Sequence, residues 1–429
     1  MKESILHYVW QFKLFSALNL KTTDGEPVEI IDTGRLNHNS GPDFFNAKIK
    51  IDNTVWAGNV EIHTKSSDWK RHLHQHDKAY DSVILHVVEN PCMEVFRTNG
   101  QKIPQLKIEV PDYIQANFHE LQDSIKKIHC QDKINQVEDI LVKSWKNALL
   151  TERLQQKTEG IDSLLTATKG SWEECLYIVL AKNFGFSKNS QPFEILAHSI
   201  PLKVLAKHKH NLLQLEAILF GQAGLLPEQP IDEYTNSLKK EYDFLRAKYN
   251  LVPRLDNSQW KLSKLRPDNF PHIRIAQFAA LLHSSSKLFS KILENPEMEA
   301  IQKLFDCKPS EYWQTHYTFS EEESKQKTGR LGIQSIRIIL INTVVPFLFY
   351  YGFRRDNEEL KEKALQILEQ IPAEKNSIIH EWEAIGFSCQ NAYDTQALIQ
   401  LRKIYCDEKN CLRCRIGHKV LTIKNQHRE

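Results

Sequence analysis

Asp43, Glu61, His63 and Lys65 are the residues of this chain whose types and spacing best suit chemistry. Two carboxylates, an imidazole and an ammonium brought to one place form a common setting for a divalent cation. Asp43 and Glu61 would hold Mg2+ or Mn2+, with waters and a substrate phosphate completing the shell. The cation would lower the pKa of a bound water and steady the charge that builds on a phosphoryl group under attack. His63 or Lys65 would orient that water or balance charge. The plainer alternative leaves Asp43 as a turn residue after Pro42 and Glu61 as a solvated strand residue.

A short apolar ribbon must position these groups. Phe45 to Ile51 alternates as a strand does, Asp52-Asn53 reads as a turn, and Val55 to His63 reads as the returning strand. Folding about Asn53 sets position 43 beside position 63, and the alternation of faces lets Asp43, Glu61, His63 and Lys65 share one side. Upstream, the polar loop from Gly34 to Gly41 offers Arg35, Asn37 and Asn39 for contact with a phosphate, although an ordinary turn accounts for them as well. Downstream, Ser66-Ser67-Asp68 predicts the cap of a helix running from Trp69 to about Tyr80. On it His72 and His76 share a face at a spacing suited to phosphate contact, while His74 points elsewhere. The glutamate of an HExxH zinc site is missing. His86 lies inside an apolar strand and reads as a core histidine.

The wider order of elements is an opening helix (Ile5, Val9, Phe12, Leu14, Leu18), a strand at Val28–Asp32, the ribbon, the short helix, and a strand from Ser82 to Val88. Val95-Phe96 with Leu106 to Val110 predicts an appended hairpin across Thr98-Asn99-Gly100. This is an α/β domain over residues 1–130. Strand signals then fade, and residues 131–429 read as an all-α domain. Its helices are expected around 191–198, 211–224, 235–249, 273–282, 333–351, 357–370 and 393–406, with a capping box at Ser171-x-x-Glu174. Arg266-Pro267-Asp268-Asn269-Phe270-Pro271 reads as a rigid elbow ahead of a helix.

Pro42-Asp43 followed by Glu61-x-His63 resembles the motif of the PD-(D/E)xK, or restriction-endonuclease-like, nuclease superfamily, and the order helix, three strands, helix, strand is similar to its core over residues 1–90. The resemblance implies an acid at the start of one core strand and an acid-x-lysine pair on the next. Here His63 stands at the usual lysine position. Lys65 can supply the ammonium from two residues on, the imidazole can itself serve as base or ligand, or the site binds without cutting. Over its whole length the chain also resembles a bacterial family known only as a domain of unknown function. That resemblance rests on Asn39-Ser40-Gly41-Pro42-Asp43-Phe44, Gly58 to His63, Ser67-Asp68-Trp69, Val83 to Val88, Arg266 to Pro271, and Tyr405-Cys406 to Gly417. It implies no reaction.

A second candidate site lies near the end of the chain. Cys406, Cys411 and Cys414 with His418, or with Cys389 one helix earlier, can satisfy a tetrahedral zinc or hold an iron–sulfur cluster. Reduced thiols around a tight turn are the alternative. Cys92, Cys130, Cys175 and Cys307 read as core fillers.

At 429 residues, with 26% charged and 41% hydrophobic residues, the chain has the composition of a soluble globular protein. A net charge of +2 announces no global basic field, yet a local groove can be basic on a near-neutral protein. The opening residues lack a signal-peptide pattern, and the apolar run from Ile338 to Phe353 carries Asn342 and Pro346, so a buried helix is expected and no membrane partner. Eight cysteines without secretory features point to a cytoplasmic protein. The expected function is that of a metal-dependent nuclease-like phosphodiesterase acting on nucleic acid. The rivals are an inactive nucleic-acid-binding or scaffold protein, and a hydrolase of small phosphoesters using the histidine cluster. Oligomeric state is left open.

Overall fold

The computed structural model describes residues 3–285, 287–319 and 328–424; Met1 and Lys2 of the opening stretch lie outside these ranges. The chain forms two compact units, one joining residues 1–145 to 401–429 and the other spanning 146–400. The C-terminal cysteine segment therefore belongs to the first unit.

In the first unit, α1 (Glu3–Gln11) buries Ile5, Leu6, Val9 and Trp10 along one stripe. The sheet is built from β1 (Val28–Asp32), β2 (Arg35–Leu36), β3 (Phe44–Ile51), β4 (Thr54–Lys65), β5 (Val83–Asn90) and β6 (Gln105–Lys107). The order is β1-β3-β4-β5-β6, with β2 pairing onto β3. The β1, β2 and β4 pairings to β3 are antiparallel, whereas β4, β5 and β6 run parallel. The chain is thus mixed α/β at its start and largely helical afterwards, as its hydrophobic periodicity predicts.

The ribbon turns at Asp52, which takes a left-handed φ of 52°, and Ile51 pairs with Thr54. Along β3 the buried residues are Phe44, Ala47, Ile49 and Ile51, so the alternation slips between Phe44 and Ala47. A bulge lies there: Asn46 has a φ of 58°, and its amide donates to Asn59 Oδ1 at 3.2 Å. Phe44 consequently pairs with Val60. Asp43 falls beside Glu61, not beside His63 as expected: the Ile51–Thr54 pairing shifts it one place and the bulge shifts it one more.

Two further expectations are corrected. The helix after Ser67 is only α2 (Asp68–Arg71); Leu73 adopts a φ of 63°, and a separate 3-10 turn covers His74–His76. A β-region Asp77 then accepts from the Ala79 amide and opens another short turn, so no single helix carries His72 and His76 on one face. The appended hairpin turns across Thr98-Asn99-Gly100 as expected but pairs differently: Phe96 bridges Lys102 antiparallel and the Ile103 amide donates to the Val95 carbonyl, while Gln105–Lys107 joins the main sheet parallel to β5.

The first unit also contains α3 (Asp112–Asp123), a 3-10 turn at Gln131–Gln136, the start of α4 (Asp139–Ala167), and a helix at Arg415–Leu421. In the second unit the expected helices appear at Phe186–Ser199, Leu212–Gln222, Glu233–Tyr249, Pro271–Ser284, Glu358–Gln370 and Ala392–Gln400. At the helix Trp172–Phe184 only half the expected box forms: Ser171 Oγ accepts from the Glu174 amide at 3.3 Å, while the Glu174 carboxylate accepts from the amide of Leu202. The elbow holds as read, with a 3-10 turn at Pro267–Asn269 and buried Arg274 donating to Gln277 Oε1.

Ile333–Arg354 is long and apolar enough to cross a membrane by length and composition, and 67% of its apolar window is buried inside the fold. A π turn at Leu340–Val344 lies just before Pro346. Pro346 cannot donate to Asn342, four residues back, and its ring would crowd that carbonyl in a regular helix. The widened turn relieves the clash, and Asn183 Nδ2 donates to the freed Asn342 oxygen at 3.3 Å.

Candidate metal centre

Glu61 is the centre of a cluster drawn from four elements. It sits in β4 with only 4% of its surface exposed, between Val60 and Ile62, which are wholly buried. Its Oε2 accepts from the Asp43 amide at 3.1 Å. Its Oε1 lies 3.2 Å from His74 Nε2 and 3.5 Å from His63 Nε2. Asp43, half-buried at the head of β3, accepts from the Ile62 amide through Oδ2 at 2.9 Å, and the same oxygen lies 3.3 Å from His7 Nε2 of α1. The bulge at Asn46 makes this pairing, because it moves Asp43 one place along the partner strand.

The imidazoles form a chain. His63 Nδ1 meets His86 Nε2 at 2.8 Å, and His63 Nε2 meets His72 Nδ1 at 3.1 Å. One donor atom from each of His63, His72 and His74 lies within 4.8 Å of the other two, close enough to serve one metal ion. An aromatic frame fixes the rings. His74 stacks on Tyr80 at 3.8 Å, and the buried Trp69 meets both His74 and His86 edge-on or tilted at 5.3 Å. Trp69 is itself anchored by donation from Nε1 to the Phe96 carbonyl at 3.2 Å.

The electrostatics favour a cation. Burial, and then the charge of Asp43, raise the Glu61 carboxyl far above the usual range. Burial and the neighbouring imidazoles depress His63 to about 2, and burial depresses His86 to about 3, so both rings are neutral at pH 7. Burial lowers His74 as well. His7 moves the other way: burial opposes its charge, but the hydrogen bond and charge of Asp43 prevail. Neutral imidazole is the metal-ligating form. With the His63 proton on Nδ1 and donated to His86, the Nε2 lone pair faces the cluster. The buried His86 Nδ1 has no hydrogen-bond partner, while His7 Nε2 and His74 Nε2 face the carboxylates of Asp43 and Glu61 at 3.3 and 3.2 Å. Glu61 with these rings, and Asp43 beside it, fits a divalent transition metal better than a purely oxygen-ligated Mg2+.

The remaining sequence candidates fall around this core. Lys65 and His76 are exposed, and Lys65 donates its backbone amide to Asp68 Oδ2 at 3.3 Å. Asn37 organises the loop ahead of Asp43: its Nδ2 donates to the carbonyls of Asn39, Ser40 and Pro42, and its Oδ1 accepts from the Asn39 amide. Arg35 is exposed on β2, opposite Phe45. It lines a cleft with His38, Arg413, Arg415 and His418. A second cleft shares Gln11, Leu36, Leu412 and Arg413 with the first, adds Lys409, and reaches His7 beside Asp43. No carboxylate is among the described residues lining either cleft. His418 is engaged through Nδ1 with the Tyr8 hydroxyl at 2.8 Å, and Cys389 lies in the second unit. Sequence reasoning missed His7, which a helix at Glu3–Gln11 delivers from far along the chain, and dismissed His74; no local spacing signals either one.

Residues 3–377 match the model of a family described as "Protein of unknown function (DUF2851)". The chain belongs to this family. The matched span takes in every residue of the Glu61 cluster and also Cys130, and it ends before Cys406, Cys411 and Cys414. No curated protein and no solved structure matches this DUF2851 chain.

Proposed function

We propose that this DUF2851 protein is a metal-dependent phosphodiesterase acting on nucleic acid, with Glu61, Asp43 and the imidazoles of His63, His72 and His74 as its metal-holding centre. The observation that carries the reading is the convergence of a buried glutamate, a second carboxylate and three imidazoles, with His7 beside Asp43 lining a carboxylate-free cleft that bears Lys409 and Arg413 and shares Arg413 with the cleft of Arg35 and Arg415. A divalent cation bound there would supply a water of lowered pKa and neutralise charge on a phosphoryl oxygen. The arginines would take flanking phosphates, for which their planar forks are suited. His7, held beside Asp43, is placed to exchange a proton with a leaving or attacking oxygen. The succession α1, β1, β3, β4, α2, β5, with acids on adjoining antiparallel strands, supports a restriction-endonuclease-like core. His63 then stands in the place of the usual lysine as a metal ligand.

The test is incubation of the purified chain with labelled single- and double-stranded DNA and RNA, with Mn2+, Mg2+ or Zn2+ supplied in turn. Cleavage that Glu61→Gln and Asp43→Asn abolish with folding intact is the expected result. Binding without cleavage under every metal would convert the reading to an inactive nucleic-acid-binding protein. Turnover of nucleotides alone would point to a small phosphoester.

A further inference from the structure

Arg274, in the helix Pro271–Ser284 of the second unit, is a cation only 5% exposed whose hydrogen-bond partners bring it no opposite charge. Its donors go to neutral oxygens: Nη1 to Gln277 Oε1 at 2.9 Å, and Nη2 to Asn269 Oδ1 and to Ser335 Oγ, the latter at 3.0 Å. Gln277 turns its oxygen this way because its Nε2 donates to the carbonyls of Gly329 and Arg330. The buried Nε of Arg274 has no hydrogen-bond partner, and the second hydrogen of Nη1 is left over. Burial lowers the guanidinium to about 10, with the charge of Asp268 opposing, so it is ionised at pH 7. Among the described residues no carboxylate forms an ion pair with it. A buried charge left uncompensated is strongly unfavourable, and an anion would offset it.

The same guanidinium lines a cavity of about 250 Å³. Phe184 and Phe193, both wholly buried, give this cavity apolar walls together with Leu265 and Ile338. Ser187 and Lys188 are exposed at its rim, and no carboxylate is among the described residues that line it. The chain is bent to make the place. Phe186 takes a φ of 48°, unusual for a residue with a side chain, and its ring meets the guanidinium at 4.5 Å. Asn189 leaves helical geometry, and its side chain pairs with the Lys261 backbone in both directions, at 3.0 and 2.8 Å. Gly185 is needed at this bend, because a Cβ there would lie 2.2 Å from the Asn189 carbonyl oxygen.

We propose that Arg274 anchors a binding site for a small organic carboxylate, whose charge meets the guanidinium and whose apolar body lies among Phe184, Phe193, Leu265 and Ile338. One unbalanced positive charge calls for one negative charge, and the open N–H groups of a planar guanidinium suit a carboxylate. A cavity of about 150 Å³ already takes benzene, so this one has room for a ring and its acid group. A phosphate would bring more oxygens than the walls can satisfy, since Asn189 and Asn269 are already engaged. The site is independent of the phosphodiesterase reading, since it involves none of the Glu61 cluster.

The test is calorimetric titration of the full chain with phenylacetate, a chelator keeping the Glu61 cluster free of metal. One phenylacetate per chain should bind, and Arg274→Gln should weaken it at least about tenfold, as loss of hydrogen bonds to a charged group does. Neutral 2-phenylethanol should bind at least about tenfold more weakly than phenylacetate. Should Arg274→Gln fail to fold, Ser187→Trp at the exposed rim should fill the cavity and abolish binding at an unchanged melting temperature. No binding of phenylacetate, equal binding of 2-phenylethanol, retention of binding in the variants, or preference for inorganic phosphate or phenyl phosphate overturns the proposal. None of these results bears on metal-dependent cleavage, so the two readings fail separately.

Discussion

The Asp43 amide donates to Glu61 Oε2 at 3.1 Å while the Asp43 carboxylate accepts from the amide beside Glu61, that of Ile62, at 2.9 Å. Each acid is held by the other's strand, so both are oriented before any ligand arrives. Such preorganisation removes ordering cost from binding. Replacing either carboxylate by its amide, Glu61→Gln or Asp43→Asn, should weaken Mn2+ or Zn2+ binding at least about 100-fold, the upper end of what loss of even an outer-shell partner costs. Isothermal titration of the purified chain with Mn2+ or Zn2+ reads the effect directly.

His74 and His76 separate the folded geometry from helical spacing. His74 Nε2 lies 3.2 Å from Glu61 Oε1, while His76 is exposed. His74→Ala should reduce metal affinity about 10- to 100-fold. His76→Ala should leave it within about twofold, the scatter of an exposed surface change. Equal effects would mean that the break at Leu73 does not position the site.

Metal binding should be coupled to proton release. Glu61 is raised by burial and by the charge of Asp43, so at neutral pH the metal-free chain keeps a proton there that the metal must displace. Affinity therefore increases as pH rises, by up to about tenfold per unit while one proton is displaced. Calorimetry in buffers of different ionisation heat measures the proton released; a value of zero at pH 7 would contradict a protonated Glu61.

Acid should destabilise the metal-free fold. His63 and His86 are depressed from an ordinary 6.5 to about 2 and about 3, so the unfolded chain takes up protons that the folded chain refuses as pH falls below 6.5. Each contributes stability that is present above that pH and is lost on the way down, at about 1.4 kcal/mol per unit. Raised Glu61 acts in the opposite sense, its contribution being fully present at low pH and lost as pH rises. Two imidazoles outweigh one carboxyl, so urea midpoints should drop between pH 6.5 and 5. A flat profile would place protons on the imidazole chain in the folded state.

Gly58 tests the ribbon itself. A Cβ there would lie 2.4 Å from Ile84 Cγ2 and 2.8 Å from the Ser82 carbonyl, one of them backbone that cannot easily yield. Gly58→Ala should cost about 1–3 kcal/mol, the usual penalty of overpacking, measured by urea unfolding.

Much of this architecture was legible in local patterns. Alternating residues from Phe44 to Ile51 and from Val60 to His63 have a strand period, Asp52-Asn53 has turn chemistry, and the apolar stripes of the later segments recur at helical spacing. These are nearest-neighbour properties, written in the order of residues. The membership of Asp43, Glu61 and His63 in one cluster followed from the same periodicity.

Tertiary structure settled the rest, because it turned on contacts that no local pattern encodes. One inserted residue at Asn46 slid Asp43 from Ile62 to Glu61, and one left-handed residue at Leu73 turned His74 inward and His76 outward. His7 reached Asp43 only because α1 packs on β4, and His129 met the Cys406 carbonyl only because the C-terminal segment folds back into the first unit. A bulge or a break costs little along the chain and is repaid by burial elsewhere, so residue order alone specified the parts while packing chose which of them touch.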